Sequence, residues 1–218
     1  MQTLKQLYEK HLNQFKQFVY TFPTEHFEGP LLMDPSGYYR QSRRLLIVGQ
    51  ETYGWGCEYD NVEAQLELYR NFNMGEKYWA TPFWNLTRKM EDILGIEKYS
   101  CAWSNLNRFD HNGGSANGEC REKILDELSK LDFLIKEEIQ ILKPDVCLFF
   151  TNRKYDHRIK ALYPEVQFQD IEGLPGSHFA RLTHEALPKL TLRTPHPRTI
   201  RTRKWEEALL IYMREAYL

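Results

Sequence analysis

The stretch "RRLLIVGQETYGWG", residues 43–56, sets four apolar residues directly against a polar and aromatic cluster. Leu45-Leu46-Ile47-Val48 is continuously apolar and rich in branched side chains, the pattern of a strand covered on both faces, as in a parallel sheet. In open α/β sheets, ligands bind in the crevice beyond the carboxyl ends of such strands. Gln50, Glu51 and Tyr53 follow at that point, which makes Glu51 a candidate functional carboxylate. A solvated loop residue or a cap for the next helix is the alternative.

Three other segments repeat the pattern of a strand running into polar residues. They are "KYSCAWSNLN" (98–107), "KPDVCLFFTN" (143–152) and the start of "LPKLTLRTPHPRTIRTRKWEEALLIYM" (187–213), which reads as strand, basic loop and helix. Between them lie helical patterns. The first twenty residues place Leu4, Leu7, Tyr8, Leu12, Phe15 and Val19 at helical spacing. "NVEAQLELYRNFNM" is a second helix. In "TPFWNLTRKMEDILG", Thr81 caps, Pro82 fits the first turn and Gly95 stops the helix. A long helix spans about residues 119–142, "YDHRIKALYP" is a short one, and "VQFQDI" is an edge strand. Strands alternating with helices imply right-handed crossovers. The expectation is therefore an α/β fold with three α/β/α layers around a central, mainly parallel sheet of four to five strands. It forms one domain over residues 1–218, with an N-terminal helix over residues 1–22 packed on it, and the polar strand ends share one sheet edge.

Charge narrows the function classes. With 29 basic and 30 acidic residues the net charge is −1, so affinity for an anionic partner must come from local clustering. No stretch reads as a signal peptide or a membrane span, and a cytoplasmic protein that binds no membrane is expected. Cys57, Cys101, Cys120 and Cys147 show no CxxC spacing, and Cys101 and Cys147 fall in strand patterns as small buried hydrophobes. Neither a GxGxxG loop nor HxH, HExxH or DxD spacing occurs, so no cofactor and no metal is expected, even if His196, Glu51 and Asp110 are imagined as ligands.

Three of the strand ends together resemble the uracil-DNA glycosylase superfamily. "GQETYG" is similar to the family's GQDPYH water-activating motif, "SNLN" to the strand that ends in a uracil-reading Asn, and "HPRTIR" to the HPSPLS loop. "PFWNLTRKMEDIL" is also similar to a helix opening, found in some branches, whose Phe stacks on the base. The likeness covers about residues 44–215. It implies that Glu51 stands where an Asp orients or activates water, that Tyr53 walls off the pyrimidine 5-position, and that Gln50 contributes to the pocket. It further implies that Asn105 reads the base edge, Phe83 stacks on it, and His196 bonds its carbonyl oxygen. Asn107, two positions on, is the rival to Asn105. The departures are Glu for Asp at 51, Thr52 for Pro, Gly54 for His, and Arg198-Thr199-Ile200 for Ser-Pro-Leu. Arg198 lies near the place of the family's apolar wedge, and Ile200 is the nearest substitute.

The chemistry suits these residue types. Cleaving an N-glycosidic bond puts positive charge on the sugar and negative charge on the departing base, so a carboxylate and a donor are both required. An Asn amide offers one donor and one acceptor in a fixed plane, matching uracil's edge and mismatching cytosine's. Arg193, Arg198, Arg201, Arg203 and Lys204 occur with no acidic residue among them, which implies phosphate contacts with single- or double-stranded DNA. Pairing with acidic residues at 119–127 and 137–138 is the alternative. His111, in "RFDHNGGSANG", falls in a Gly-rich loop that reads as an ordinary exposed one, with an approach to DNA as the alternative.

Overall fold

A computed structural model describes residues 2–56 and 58–217; Cys57 lies outside the described residues. The protein is mixed α/β, with a central, mostly parallel six-stranded sheet flanked by helices. Its elements in chain order are α1 (Leu4–Lys10), α2 (Leu12–Tyr20), β1 (Phe27–Glu28), β2 (Leu45–Gly49), α3 (Val62–Phe72), α4 (Pro82–Leu94), β3 (Ala102–Asn105), β4 (Asp110–His111), α5 (Arg121–Ser129), α6 (Phe133–Leu142), β5 (Val146–Phe149), α7 (Asp156–Leu162), β6 (Gln167–Gln169), β7 (Ala180–Thr183), β8 (Leu190–Arg193), α8 (Pro197–Thr202) and α9 (Glu206–Tyr217). The sheet order is β3-β2-β5-β8-β7-β6. No helix among the described residues is long and apolar enough to cross a membrane.

The chain divides into two compact units. The first comprises the described residues of Met1–Asp34, Gln50–Asn71 and Ser104–Leu142; the second comprises Pro35–Gly49, Phe72–Trp103 and the described residues of Lys143–Leu218.

In the first unit α1 and α2 are separate helices, because the expected single helix breaks at His11 (φ −104°, ψ 9°). Thr3 and Gln6 form a reciprocal capping box at the start of α1. The long helix expected over 119–142 is likewise two, α5 and α6, interrupted at residues 130–132. Phe15, Phe18 and Phe22 pack their rings with Phe27 and Phe109, the Phe18–Phe109 pair stacking at 4.7 Å. A fully buried ion pair crosses this core. The Arg108 guanidinium faces both Glu138 carboxylate oxygens, which also accept from Tyr8 Oη at 2.7 Å and Ser104 Oγ at 3.1 Å. Burial opposes the charge on Arg108, but Glu138 outweighs it and holds the guanidinium above its ordinary range. Burial also raises the Tyr8 phenol well above its usual value, with Glu138 adding to the effect.

In the second unit β2, β5 and β8 run parallel and buried along their whole length, with Val48 level with Phe149 and Phe149 level with Arg193. Their carboxyl ends therefore share one sheet edge. β7 and β6 extend the sheet antiparallel. β6 is the predicted edge strand and is largely exposed. β7 is not foreseen from the sequence, because its buried-exposed alternation spans only four residues.

α4 ends at Gly95 (φ 64°) as expected, and Pro82 occupies its first turn, but the Thr81 side chain makes no capping bond. The turn before α4 is fixed by Met74 and Gly75, both left-handed. A Cβ on Gly75 would stand 2.3 Å from the Trp84 indole, so only glycine fits. α4 packs on α8 and α9, and Lys89 pairs with Glu206.

Candidate functional site

In the first unit the polar end of "GQETYG" is anchored from several sides. The Gln50 carbonyl accepts the Asn107 N–H at 2.8 Å. One Glu51 carboxylate oxygen accepts Asn107 Nδ2 at 3.0 Å, and the other accepts the Ser115 hydroxyl. The half-buried carboxylate is thus held in one orientation by two side-chain donors. A single buried Asp110 oxygen accepts from Thr52 Oγ1 (2.7 Å), Gly54 N–H (3.0 Å) and Trp55 N–H (3.0 Å).

These contacts account for two of the residues at which the sequence differs from the motif it resembles. Thr52 donates a hydroxyl where proline has none, and Gly54 takes φ 76°, a conformation that a histidine side chain would strain. Trp55 Nε1 continues the anchoring by donating to Gln65 at 3.1 Å. Tyr53 lies along Gly114 and is 91% exposed, so within its unit it walls off no space. Asn105 and Asn107 are both buried, and the Asn107 amide is committed to Glu51.

His111 corrects the sequence reading. It is buried in β4 rather than in an exposed loop, its Nε2 2.6 Å from Glu25 and its Nδ1 accepting the Asn117 N–H at 3.3 Å. Asp110, read only as an imagined metal ligand, is instead the anchor of the 52–55 turn. No spacing rule pairs it with Thr52, 58 residues away. Asn107 and Ser115 were likewise not assigned as holders of Glu51.

In the second unit the β5 and β8 ends extend into a tight turn. The Thr194 N–H donates to the Phe149 carbonyl at 2.8 Å, and the Asn152 N–H to the Thr194 carbonyl at 3.1 Å. Asn152, at φ 63°, then accepts the His196 N–H on Oδ1 at 3.0 Å. His196 caps α8, its Nδ1 accepting the Arg198 N–H at 3.2 Å, with Pro197 in the first turn. With Nδ1 an acceptor, the proton of the neutral ring sits on Nε2. The Phe83 ring tilts against His196 at 6.0 Å and meets Phe150 edge-on at 5.5 Å.

The basic segment is a short helix, not the expected loop. Arg198, Arg201, Arg203 and Lys204 are exposed, with Arg201 donating to Asn85 Oδ1 at 2.9 Å and lying 4.0 Å from Glu206. Arg193 departs from its expected place on a phosphate rim. It is buried in β8, donates to the His178 carbonyl and pairs with Asp156 at 2.9 Å. Burial lowers the Arg193 pKa and raises that of Asp156, each against the attraction of the other. Ile200 is fully buried and cannot serve as a wedge.

Gln50, Glu51, Tyr53 and Asn105 thus belong to the first unit, and Phe83, His196 and the basic residues to the second. Among the described residues no three His, Cys, Asp or Glu side chains group to hold a metal ion. No family model matches the sequence, and no curated protein matches it at a significant level.

Proposed function

We propose that this protein is a DNA glycosylase-like hydrolase that removes uracil, or a related damaged pyrimidine, from DNA by hydrolysing the N-glycosidic bond. Glu51 offsets the positive charge that develops on the sugar and holds the attacking water. Asn105 reads the base edge, Phe83 stacks on it, and the His196 Nε2–H donates to the base oxygen as negative charge builds there. Gln50 and Tyr53 stand at the turn that carries Glu51. Arg198, Arg201, Arg203 and Lys204 meet phosphates. The chemistry uses a carboxylate and an imidazole and calls on no metal and no covalent enzyme intermediate. A cytoplasmic location accompanies the reading.

The observation that carries it is the fixation of Glu51. A carboxylate directly past a buried parallel strand, with both oxygens oriented by side-chain donors, is preorganised to stabilise a cation, whereas a solvated loop residue would have no such anchoring. The neutral tautomer set at His196 is consistent with a donor role.

Incubating excess protein with uracil-containing single- and double-stranded oligonucleotides, and measuring released base by chromatography, tests the reading. Release by the wild type that is lost in Glu51→Gln supports it. A second reading is a nucleic-acid or base-binding protein of the same fold without turnover, favoured by the exposure of Tyr53 and by the substitutions at 51, 52 and 54. Binding without release would establish that reading instead.

A further inference from the structure

Among the described residues of the second unit, two adjacent exposed aromatic residues lie just before α4. Trp79 is 61% exposed and Tyr78 53% exposed, next to each other in the chain. Their support is rigid. Asn73, Met74 and Gly75 all take positive φ, Gly75 is locked against Trp84, and Tyr78 stacks on Phe72 at 5.6 Å. The Tyr78 carbonyl accepts the Thr81 N–H at 2.9 Å, tying the turn to the start of α4. A large aromatic left in water on a fixed backbone forgoes about 1.5–3 kcal/mol of burial, so a persistent exposed pair marks an interaction surface.

Charge says what kind of partner fits. α4 begins three residues after Trp79, and its first turns touch α8 and the residue that caps it: Phe83 lies against His196, and Asn85 accepts from Arg201. Chain geometry keeps the Cα atoms of Trp79 and Phe83 within about 15 Å of each other. The exposed side chains of this region on α8 and just after it are Arg198, Arg201, Thr202, Arg203 and Lys204, with the apolar Ile200 turned inward. Flat π faces on the turn that leads into α4, which itself packs on a cationic, non-apolar helix, match the unstacked bases and phosphates of a single strand. They do not match a duplex, whose bases are already stacked.

From this juxtaposition we infer that Trp79 and Tyr78 form a base-stacking platform for single-stranded DNA, with α8 and the residues just after it contacting the adjoining phosphates. Single-stranded DNA is then the preferred partner. The inference rests on the nucleic-acid part of the proposed function and is independent of catalysis.

The test is binding of a fluorescently labelled oligothymidine without uracil, and of a blunt duplex of equal length, to the wild type, Trp79→Ala, Trp79→Phe and Arg198→Glu/Lys204→Glu, alongside uracil release from single- and double-stranded substrates. The platform predicts that the wild type binds the single strand at least ten-fold tighter than the duplex and that its tryptophan fluorescence is quenched. Trp79→Ala should weaken single-strand binding about ten-fold, the scale of losing one stacked base. Trp79→Phe, which keeps a π face, should restore most of it. Because Trp79 is largely exposed, the Ala variant should melt with the wild type. Equal affinity of the wild type for both forms, or unchanged single-strand binding by Trp79→Ala, overturns the platform even where uracil is released. A wild type that binds the single strand through Trp79 but releases no base from single- or double-stranded uracil-containing DNA leaves the platform standing and refutes the glycosylase reading.

Discussion

At the residue scale the proposed chemistry rests on His196 and on the groups that orient Glu51. His196→Ala should lower the rate of base release by about 10²–10³, the effect of losing one preorganised donor, with little change in DNA affinity. Single-turnover kinetics at saturating protein separates the two quantities. Asp110 acts through the turn that follows Glu51 and is a positioning residue. It gathers three donors from Thr52, Gly54 and Trp55, so Asp110→Ala should destabilise the protein by roughly 2–4 kcal/mol in urea unfolding. The rate should fall about a hundredfold as the Glu51 turn loosens. A variant with unchanged kcat would show that the turn holds itself.

Glu51, Asn105 and His196 stand out in the sequence as candidates because Glu51 and His196 follow an apolar strand and Asn105 ends one. Asp110 and Ser115 do not, since their partners are fixed by tertiary contact rather than spacing. Arg193 is misread for a related reason. Charge density along residues 193–204 does not reveal that the first of the five basic residues is still inside a buried strand, paired with Asp156.

At the element scale the parallel strands were the most legible part, because double-sided burial leaves an unbroken apolar run as in Leu45–Val48. Helix continuity was less so. Leu12 and Phe15 continue the period of Leu4 and Tyr8, yet the backbone breaks at His11, and the break at residues 130–132 is likewise invisible to periodicity. The α8 helix is hard to read from sequence because it is only six residues long and opens between two prolines, although Pro197 is well placed in its first turn. Gly75 gives the element-scale prediction. Gly75→Ala meets both left-handed strain and the Trp84 ring, so it should cost about 3 kcal/mol or more, read as a lowered midpoint in thermal or urea unfolding. A neutral effect would mean that the turn before α4 can be rebuilt at no cost.

At the scale of the whole molecule the near-zero net charge hides local contrasts that pH and salt expose. Glu63, on the surface but bonded first by Lys5 and then by Arg70, has its pKa lowered to about 2. A lowered folded pKa contributes stability that is present above about 4.5 and lost as pH falls towards 2. Glu91 behaves in the opposite sense. Burial raises its pKa against the pull of Arg88, so its contribution is complete below about 4.5 and is lost as pH rises through the folded value. Melting temperatures over that acid range should therefore fall less steeply with acid in Glu63→Gln than in the wild type, and the difference should shrink in high salt. No difference between the two proteins would remove the Lys5–Glu63–Arg70 network from the account.

DNA binding should depend on salt as counterion release dictates. A slope of roughly −2 to −3 in log K against log salt corresponds to three or four phosphates on a single strand. Arg193→Gln should lower stability and leave that slope unchanged.

The role proposed for Glu51, just past the end of β2, in hydrolysing a glycosidic bond is read out by quantifying free base after incubating uracil-containing DNA with an excess of wild type or Glu51→Gln. The wild type should release base, unaffected by chelators, while Glu51→Gln should keep its DNA affinity and lose release almost completely. Absence of release by the wild type from both single- and double-stranded substrates, or equal release by the two proteins, would contradict that role.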